Sequence, residues 1–421
     1  MTGLVLLGGV VPANAQTLTW SVVHSPNRRA GGNFLDAVSC VSANMCMATG
    51  HRLNSIGALV TLAERWDGTR WSLVPSPNLG RSNNELVAVS CASAAACMAV
   101  GFTQGGPGGT LAESWNGTRW SVVRTPSLAG TGSDLNGVSC VSADACTAVG
   151  AVSPNGTALS TVIESWNGTR WSVVRTPTLA GTGSDLTGVS CVSPDACTAV
   201  GAVSPNGTAL STVIEFWDGT RWSVVPSPNP AAGGALRAVS CVSAHACMAV
   251  GFSGSESGFH GTLAESWNGS RWSVLPTPNP GTGGNFLNGV SCVSPDTCTA
   301  AGEAFHSGTQ TTSLIESWDG SRWSVVPSPT PGTGQTLVNG VSCSSKDACN
   351  VVGSYNNETK TLVESWDGRS WSVVPTPNPG AIDRALDGVS CVSPGFCMAA
   401  GWFIGRNSIS RTLTLLGTAP G

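Results

Sequence analysis

The sequence predicts an all-β fold, an eight-bladed β-propeller with four antiparallel strands in each blade. Three observations lead to this prediction. The 16 cysteines occur only as pairs with the spacing C-x5-C, and successive pairs begin 48 to 51 residues apart. Each repeat contains short β-branched segments bounded by Gly, Pro, Asn and Asp, which is typical of strands. The sequence shows no helical period of useful length, so each repeat is expected to form one sheet.

The composition is that of a chain with a substantial core. Of the 421 residues, 41% are apolar and 10% are charged, and the formal net charge is −4. Apolar residues at this level can bury a core, which a disordered polar chain cannot do. The sequence offers no basic surface for nucleic acid and no Lys/Arg cluster for an anionic membrane. We therefore expect no nucleic-acid partner and no membrane span.

The first fifteen residues resemble an export signal. An apolar run at residues 4–11 is followed by Pro12-Ala13-Asn14-Ala15, an A-x-A cleavage site before Gln16. The run is too short to span a bilayer, and the alternative interpretation is a buried first strand. An even number of cysteines also points to an oxidising compartment. The expectation is a secreted protein with a signal peptide at residues 1–15 and a single propeller domain at residues 16–421.

Each repeat contains four predicted strands, A to D. Strand A reads L-x-G/A-V-S-C, strand B reads C-x-A-V/A-G, strand C reads T-L-x-E-S-W, and strand D reads R-W-S-V-V-P. Five residues separate the two cysteines and are expected to form the A–B hairpin loop. The C–D connection is Asn-Gly or Asp-Gly, as at Asn116-Gly117, which predicts a type I′ turn. Small residues on strand A suit the crowded axis, and the tryptophans of strands C and D suit the wide outer part of a blade.

The two ends of the chain complement each other. The last repeat stops after strand C at residues 412–416, and the mature N-terminus begins with a lone strand D at residues 19–23. A linear stack of sheets is the rival architecture, but such stacks need distinct polar caps. Docking of the first strand on the last blade would close the ring and leave no free sheet edge.

The repeats are similar to those of bacterial secreted β-propeller repeat proteins. The similarity lies in the W-N-G-x-x-W hairpins, which resemble kelch-like and Asp-box-like blades, together with the C-x5-C pair in each repeat. It covers the whole mature chain and implies the fold. The W-D-G-x-x-W turns are one residue short of the Asp-box spacing, so hairpins are expected there and not sialidase chemistry. Because these families include lectins, scaffolds, oxidases and sialidases, the resemblance does not select a function.

Every cysteine is expected to form a disulfide within its own repeat, because the two cysteines of a pair face each other across strands A and B. A zinc site would need two pairs to converge, and the blades hold the pairs apart. We expect no metal and no cofactor. The predicted pairs are Cys40/Cys46, Cys91/Cys97, Cys140/Cys146, Cys191/Cys197, Cys241/Cys247, Cys292/Cys298, Cys343/Cys349 and Cys391/Cys397.

Two charged positions recur in the repeat. A glutamate on strand C could belong to a carboxylate array for catalysis or metal binding. Because a catalytic pair needs one asymmetric site, we favour a buried glutamate bonded to backbone N–H groups or to an indole. An arginine in the C–D turn could clamp an anion, but covering a tryptophan or pairing with a nearby carboxylate is favoured. The glutamates are Glu64, Glu113, Glu164, Glu215, Glu265, Glu316 and Glu364.

Catalytic motifs are absent from the sequence, so we expect that the protein is not an enzyme. The irregular aromatic and histidine residues are assigned to the B–C loops, which share the channel mouth with the D–A loops. Loops on a rigid scaffold are where binding residues concentrate. The predicted function is a non-catalytic binding or scaffolding module, a monomer that presents this face to a glycan or protein. The candidate ligand-binding residues are His51, Phe252, His260, Phe305, His306, Tyr355, Trp402 and Phe403.

Two alternatives remain open. The first is a polysaccharide-acting enzyme of the glycoside hydrolase or lyase type, with carboxylates at the channel mouth. The carboxylates that could serve it are Glu256, Glu303 and Glu358, which the sequence places in B–C loops. The second is a structural cell-surface repeat protein with no ligand at all.

Overall fold

The fold was obtained as a computed structural model. Residues 1–16 lie outside the part of the chain that it describes, and with them the expected signal peptide. His260 and Glu256 lie outside it as well. The structure describes residues 17–28, 31–80, 83–104, 109–126, 128, 132–153, 159–174, 179, 183–205, 209–230, 232–254, 261–306, 310–380, 382–405 and 407–420.

The described residues form 32 strands. In this part of the chain there is no helix that is long and apolar enough to cross a membrane. The strands are β1 (Thr19–Val23), β2 (Asn33–Ser42), β3 (Met45–Leu53), β4 (Leu59–Trp66), β5 (Trp71–Leu73), β6 (Asn83–Ser93), β7 (Ala96–Gln104), β8 (Gly109–Trp115), β9 (Trp120–Val122), β10 (Gly132–Ser142), β11 (Ala145–Ser153), β12 (Ser160–Trp166), β13 (Trp171–Val173), β14 (Gly183–Ser193), β15 (Ala196–Ser204), β16 (Ser211–Trp217), β17 (Trp222–Val224), β18 (Gly234–Ser243), β19 (Ala246–Ser253), β20 (Gly261–Trp267), β21 (Trp272–Leu275), β22 (Gly284–Ser294), β23 (Thr297–Phe305), β24 (Thr311–Trp318), β25 (Trp323–Val325), β26 (Leu337–Ser345), β27 (Ala348–Tyr355), β28 (Lys360–Trp366), β29 (Trp371–Val373), β30 (Arg384–Ser393), β31 (Phe396–Ile404) and β32 (Ser410–Thr418).

The strands form eight four-stranded antiparallel sheets, which confirms the predicted propeller. Blade 1 is β2–β5, blades 2 to 7 follow in the same order, and blade 8 consists of β30, β31, β32 and β1. The N-terminal strand therefore closes the ring as predicted. Trp20 lies opposite Gly417 in this pairing, where blades 1 to 7 have two tryptophans face to face. A Cβ atom at position 417 would lie 2.9 Å from the Trp20 ring, so glycine makes room for the indole.

The hydrophobic core lies between the blades. Within the described residues, eight clusters of buried side chains each combine residues from two neighbouring blades. At the boundary of blades 8 and 1, for example, Leu35 and Trp66 pack against Phe396 and Met398. The sheets are thus stabilised by the apolar surface that they bury against each other.

Strand A is the innermost strand, and a ring of hydrogen bonds joins its eight copies. Every strand A contains a serine followed directly by the first cysteine of its blade. The backbone N–H of this cysteine donates to the Oγ of the corresponding serine in the preceding blade, at 3.0–3.1 Å. The bond from Cys40 to Ser390 connects the first blade to the last. This contact explains why every strand A contains the pair Ser-Cys.

All sixteen cysteines are among the described residues and form the eight predicted disulfides. The paired cysteines lie directly opposite each other, as Cys40 and Cys46 do. The expected five-residue A–B loop is wrong, because β2 continues past Cys40 to Ser42 and only a two-residue turn follows. A β-bulge at Val41 absorbs the odd residue.

The two cysteines of a pair differ in exposure. The first, on strand A, is half-buried, as Cys40 is. The second, on strand B, is at most 6% exposed and belongs to the hydrophobic cluster between its blade and the preceding one. Each disulfide therefore fixes an inner strand to the core. These buried cysteines are Cys46, Cys97, Cys146, Cys197, Cys247, Cys298, Cys349 and Cys397.

A second β-bulge in strand A follows the buried aliphatic residue near the start of the strand. In blade 3 it falls at Asn136, between Leu135 and Gly137, and the same shift occurs in all eight blades. The bend brings strand A against strand B. A Cβ atom on Gly150 would lie 2.0 Å from the backbone oxygen of Asp134, which is why strand B carries glycine at this position.

The C–D hairpin differs from the predicted type I′ turn. Trp66 pairs with Trp71, so the loop has four residues. The Asp67 Oδ1 atom accepts hydrogen bonds from the backbone N–H groups of Thr69 and Arg70 at 2.9 Å. Within this described loop Gly68 alone has a positive φ, of 95°. The Asn or Asp is therefore selected because its side chain caps the turn, and not because it adopts a left-handed backbone.

The exposed arginines of these turns pair with the capping aspartate in three blades. Arg70, Arg221 and Arg322 each place Nε 3.6–3.9 Å from a carboxylate oxygen three residues earlier. The predicted pairing with a nearby carboxylate is confirmed for these three.

The seven strand C glutamates are all fully buried at blade boundaries. They do not bond to backbone N–H groups or indoles as expected. Instead, hydroxyl groups of the preceding blade donate to six of them, as Ser76 does to Glu113 Oε2 at 2.8 Å. The Trp66 indole donates to the backbone oxygen of Ala43, in the A–B turn of its own blade. The other hydroxyl donors are Ser25 to Glu64, Thr110 to Glu164, Thr161 to Glu215, Ser227 to Glu265, and Ser313 and Ser328 to Glu364.

Burial raises the pKa of each of these glutamates to about 7 or 8, against the hydroxyl hydrogen bonds that lower it. Glu316 also has its pKa raised to about 8 by burial. A buried carboxyl group with no cationic partner favours its neutral form. A large share of these carboxyl groups is therefore uncharged at neutral pH, which supports a structural role.

Candidate functional site

The candidate site is the channel mouth on the face of the D–A and B–C connections, where strands A begin and strands B end. Most of the predicted residues are not in loops. Strand B is longer than its sequence motif, and His51, Phe252, Phe305, Tyr355, Trp402 and Phe403 lie near its end in β3, β19, β23, β27 and β31. His306 directly follows β23 and begins a B–C loop.

The structure gathers some of these side chains into two aromatic clusters. Phe34 stacks on His51 with ring centroids 4.8 Å apart and meets the edge of Trp402 at 5.7 Å. On the other side of the ring, Phe286 contacts Phe252 at 5.4 Å and Phe305 at 5.3 Å. Phe34 is the central ring of the first cluster and Phe286 is the central ring of the second. Neither residue was among those predicted from the sequence.

The remaining predicted residues are engaged elsewhere. Tyr355 and Phe403 pack against the hydrophobic clusters of their blade boundaries. The His306 Nε2 atom lies 3.0 Å from Thr312 Oγ1. Tyr355, Phe403 and His306 thus have partners outside the two aromatic clusters.

A cavity of about 560 Å³ opens at the mouth on blades 4 to 6. Its wall is mainly apolar. The polar residues that line it are Ser184, Asp185, Thr187 and Arg237 from strands A and Ser204 from a strand B. Its apolar lining includes Leu159, Leu210, Ala235, Leu236, Phe252 and Phe286.

The disulfides contribute nothing to this cavity. None of the sixteen cysteines, all of which are described, is among the residues that line it. The strand B cysteines are buried in the core, so their sulfur atoms cannot meet a ligand there, as is the case for Cys97, Cys146, Cys197, Cys349 and Cys397. The cysteines are therefore scaffold residues and not part of the candidate site.

Arg237 is the cation of this cavity. It occupies the bulge position of β18, and its guanidinium lies 5.1 Å from the Phe252 ring centroid and 5.2 Å from that of Phe286. The guanidinium also donates to Asn288 Oδ1. Two ring faces and an amide thus orient an exposed arginine towards the cavity.

Asp185 lines the same cavity. Burial, together with repulsion from Asp134, raises its pKa to about 6. Asn136 donates to its Oδ1 atom at 2.9 Å. The cavity therefore combines an oriented guanidinium and a carboxyl group with a mainly apolar lining.

The bulge positions of the eight strands A form a ring of side chains around the mouth. At four boundaries this side chain donates to a backbone oxygen of the next blade, as Asn136 does to Leu186 at 3.1 Å and Thr187 to Leu236 at 2.9 Å. Asn288 and Asn339 do the same at 3.0 Å. The other four positions are Asp36, Val87, Arg237 and Asp387.

Asp36 and Asp387 belong to a cluster of polar side chains where blades 8, 1 and 2 meet. His51 Nδ1 lies 2.9 Å from Asp36 Oδ2 and 3.5 Å from Glu85 Oε1. Burial lowers the pKa of His51, but the hydrogen bond to Asp36 and the charges of Asp36, Glu85 and Asp387 raise it overall. Burial and repulsion from Asp36 and Glu358 raise the pKa of Asp387 to about 7.

Of the carboxylates proposed for an enzyme, Glu303 is placed differently from the prediction and Glu358 lies in a B–C loop as predicted. Glu303 lies in β23 and not in a loop, and it is 6% exposed. Its two oxygens accept hydrogen bonds from the Val338 backbone at 2.7 Å and from Asn288 Nδ2 at 2.8 Å. Glu358 lies in the turn after β27 with a φ of 63°. Glu303 is thus held as an acceptor inside the wall of the mouth.

Comparison with known proteins supports the fold but identifies no family and no function. No protein-family model matches the chain, and no curated protein matches it. Among solved structures, Sqt1 from Chaetomium thermophilum is similar with a TM-score of 0.50 and 14% identity, over 97% of this chain and 100% of that one. At this identity the similarity shows the fold alone, an eight-bladed β-propeller.

Two further solved structures are similar at lower scores. YCF48 bound to D1 peptide has a TM-score of 0.46 and 12% identity, over 83% of this chain and 98% of that one. A polysaccharide lyase of family PL25, an ulvan lyase, has a TM-score of 0.46 and 9% identity, over 96% of this chain and 94% of that one. Binding proteins and enzymes therefore both occur among the similar structures.

Proposed function

We propose that the protein is a secreted, monomeric binding module that takes a segment of a protein partner into the cavity of blades 4 to 6 without catalysis. The observation that carries this proposal is the apolar cavity with Arg237 held over Phe252 and Phe286. Cavities with an apolar lining and a few oriented polar groups are typical of binding sites.

The lining favours a peptide segment over a glycan. A sugar ring needs many hydrogen-bonding groups and an open aromatic face, whereas Phe252 is only 8% exposed and lies beneath Arg237. An apolar side chain of a partner would fit the cavity floor. A neighbouring carboxylate, from an acidic residue or a chain terminus, would pair with the Arg237 guanidinium.

Secretion is part of the same proposal. All eight disulfides of the described strands need an oxidising compartment to form and persist. A rigid ring with covalently linked A–B hairpins is a suitable scaffold for a binding surface outside the cell.

The first prediction tests this assignment with a displayed library of linear peptides selected on the disulfide-intact protein. Selected peptides should pair an apolar residue with a carboxylate. The Arg237→Ala variant should weaken their binding by about 2 kcal/mol, which is typical of a residue at the centre of an interface. Fluorescence anisotropy with a labelled peptide measures the effect.

Arg170→Ala is the matched control, because Arg170 is an exposed arginine on the opposite, C–D turn face. It should leave affinity unchanged. Equal binding by wild type and Arg237→Ala would overturn the proposal. Selective binding on a glycan array, or turnover of a polysaccharide, would favour the glycan-binding or enzymatic alternative.

A further inference from the structure

A second group of side chains at the mouth lies across the ring from the cavity, where blades 8, 1 and 2 meet. Asp36 occupies the bulge of β2, His51 lies near the end of β3, and Glu85 is near the start of β6. One ligand atom from each, Oδ2, Nδ1 and Oε1, lies within 4.8 Å of the other two. All three side chains are half-buried.

This combination departs from the repeat. At the position of His51 the other blades have Phe102, Ala151, Ala202, Phe252, Glu303, Ser354 and Trp402. Blade 1 alone therefore combines an imidazole with a carboxylate at the neighbouring bulge position. The core packing of a blade does not require this pair, because the other seven blades form without it.

The acidic bulge residues also lack the function that this position has elsewhere. Asn136, Thr187, Asn288 and Asn339 donate to a backbone oxygen of the next blade. An ionised aspartate has no hydrogen to donate. Asp36 and Asp387 instead bring carboxyl oxygens to this position. A cation is a suitable partner for a group of carboxylate oxygens.

We propose that Asp36, His51 and Glu85 bind a divalent transition-metal ion, with Asp387 as a further carboxylate beside it. Metal–ligand bonds of about 2.1 Å at tetrahedral or octahedral angles place ligand atoms about 3.0–3.4 Å apart. The two separations from His51 Nδ1, 2.9 and 3.5 Å, bracket this range. The ligand atoms of Asp36 and Glu85 lie within 4.8 Å of each other.

The donor set indicates which ion binds. Imidazole nitrogen suits Zn²⁺ and Mn²⁺ sites that mix nitrogen with carboxylate oxygen, whereas Ca²⁺ and Mg²⁺ prefer oxygen ligands throughout. The site would connect three blades around the channel. It does not depend on the peptide-binding role proposed for blades 4 to 6.

The second prediction is tested by titrating the metal-stripped, disulfide-intact protein with Zn²⁺ and with Mn²⁺ in a calorimeter. We expect one ion per chain. Glu85→Gln and His51→Gln should each weaken binding by about 10-fold or more, since loss of even an outer ligand contact has effects of this size. Co²⁺ bound at the same site should give a visible absorption spectrum that changes in His51→Gln.

The matched control is Asp134→Asn, which removes the carboxylate at the position of Glu85 in blade 3, where no histidine is present. It should leave metal affinity unchanged. Saturable Zn²⁺ or Mn²⁺ binding that is lost in Glu85→Gln and retained in Asp134→Asn supports the site. The absence of saturable binding would mean that the cluster is a protonated imidazole held by carboxylates, and it would overturn the proposal. Equal losses in the two variants would overturn it as well.

Discussion

Two rings of contacts connect the blades, and they differ at the last blade. The inner ring, from each cysteine N–H to a serine of the preceding blade, is complete in all eight described copies. The outer ring consists of buried glutamates and is present in seven blades. In blade 8, Leu415 stands opposite Ala399, where blade 1 has Glu64 opposite Ala48.

The replacement changes how that boundary is stabilised. Leu415 is fully buried and packs with Leu18, Trp20 and Val374. Thr376, which corresponds to the glutamate donor Ser76 of blade 1, instead lies 2.7 Å from the Thr361 hydroxyl. At the outer-ring position the boundary between blades 7 and 8 is therefore apolar, whereas the other seven boundaries have a buried carboxyl group there. The blade assembled from both chain ends thus lacks the outer-ring contact on one of its sides and keeps the inner-ring bond from Cys391 to Ser342.

The largest effect is expected from removing the N-terminal strand. Deleting residues 16–26 takes Leu18 and Trp20 from the boundary core, exposes the edge of β32 and leaves Glu64 without the Ser25 hydroxyl. Loss of a buried tryptophan alone costs about 3–5 kcal/mol, so the third prediction is aggregation or a large fall in melting temperature. Size-exclusion chromatography and calorimetry measure both. A truncated protein that stays monomeric with an unchanged melting temperature would contradict ring closure.

An intermediate effect is expected from pH. Burial raises the pKa of Glu113 to about 8 in the folded state, above its unfolded value. Its contribution to stability is therefore complete below the unfolded pKa, near 4.5, and is lost as pH rises through about 8. The fourth prediction is a lower urea midpoint at about pH 8 than at about pH 5.

Glu113→Gln sharpens this prediction, because glutamine keeps the shape and cannot ionise. At about pH 8 the variant should be more stable than wild type by at least about 1 kcal/mol, a shift of one pKa unit being worth about 1.4. Asp144→Asn is the control, since Asp144 is an exposed carboxylate in an A–B turn. The same pH dependence in Glu113→Gln and wild type would show that Glu113 does not contribute to it.

The smallest effect is expected in the inner ring. Ser139→Ala removes the acceptor of the Cys191 N–H, a bond of 3.0 Å between half-buried groups. One such bond contributes about 1 kcal/mol, so the fifth prediction is a small loss of stability in chemical denaturation. Ser172→Ala, at an exposed serine of strand D, should have no effect. A loss several times larger would mean that the inner ring, and not the outer one, controls the assembly.

The repeat made the architecture predictable. Blade number, ring closure and all eight disulfides depend on spacings within one repeat or on the two ends of the chain. Local geometry was harder to predict. The Asp67-Gly68 pair fits both a two-residue and a four-residue hairpin, and only the pairing of Trp66 with Trp71 decides between them.

The site was predicted only in its location. Several mouth residues meet partners from a neighbouring blade, about one repeat away in sequence, as Arg237 meets Phe286. Such contacts depend on the register of eight separate sheets. One signal was available in the sequence, namely the variable residue after the buried aliphatic residue of strand A, which is Asp, Val, Asn, Thr or Arg between repeated neighbours. This variable residue is the bulge residue of strand A, which is Arg237 in blade 5 and Asp36 in blade 1.

The bulge has a consequence for how such a protein can diversify. Because the bulged residue stands outside the pairing register of strands A and B, a new side chain there does not require the ladder to change. Asn136 and Arg237 occupy equivalent positions and give unlike chemistry on the same backbone. A lineage of these rings can therefore acquire new ligands by single codon changes at eight sites while every sheet keeps its pairing.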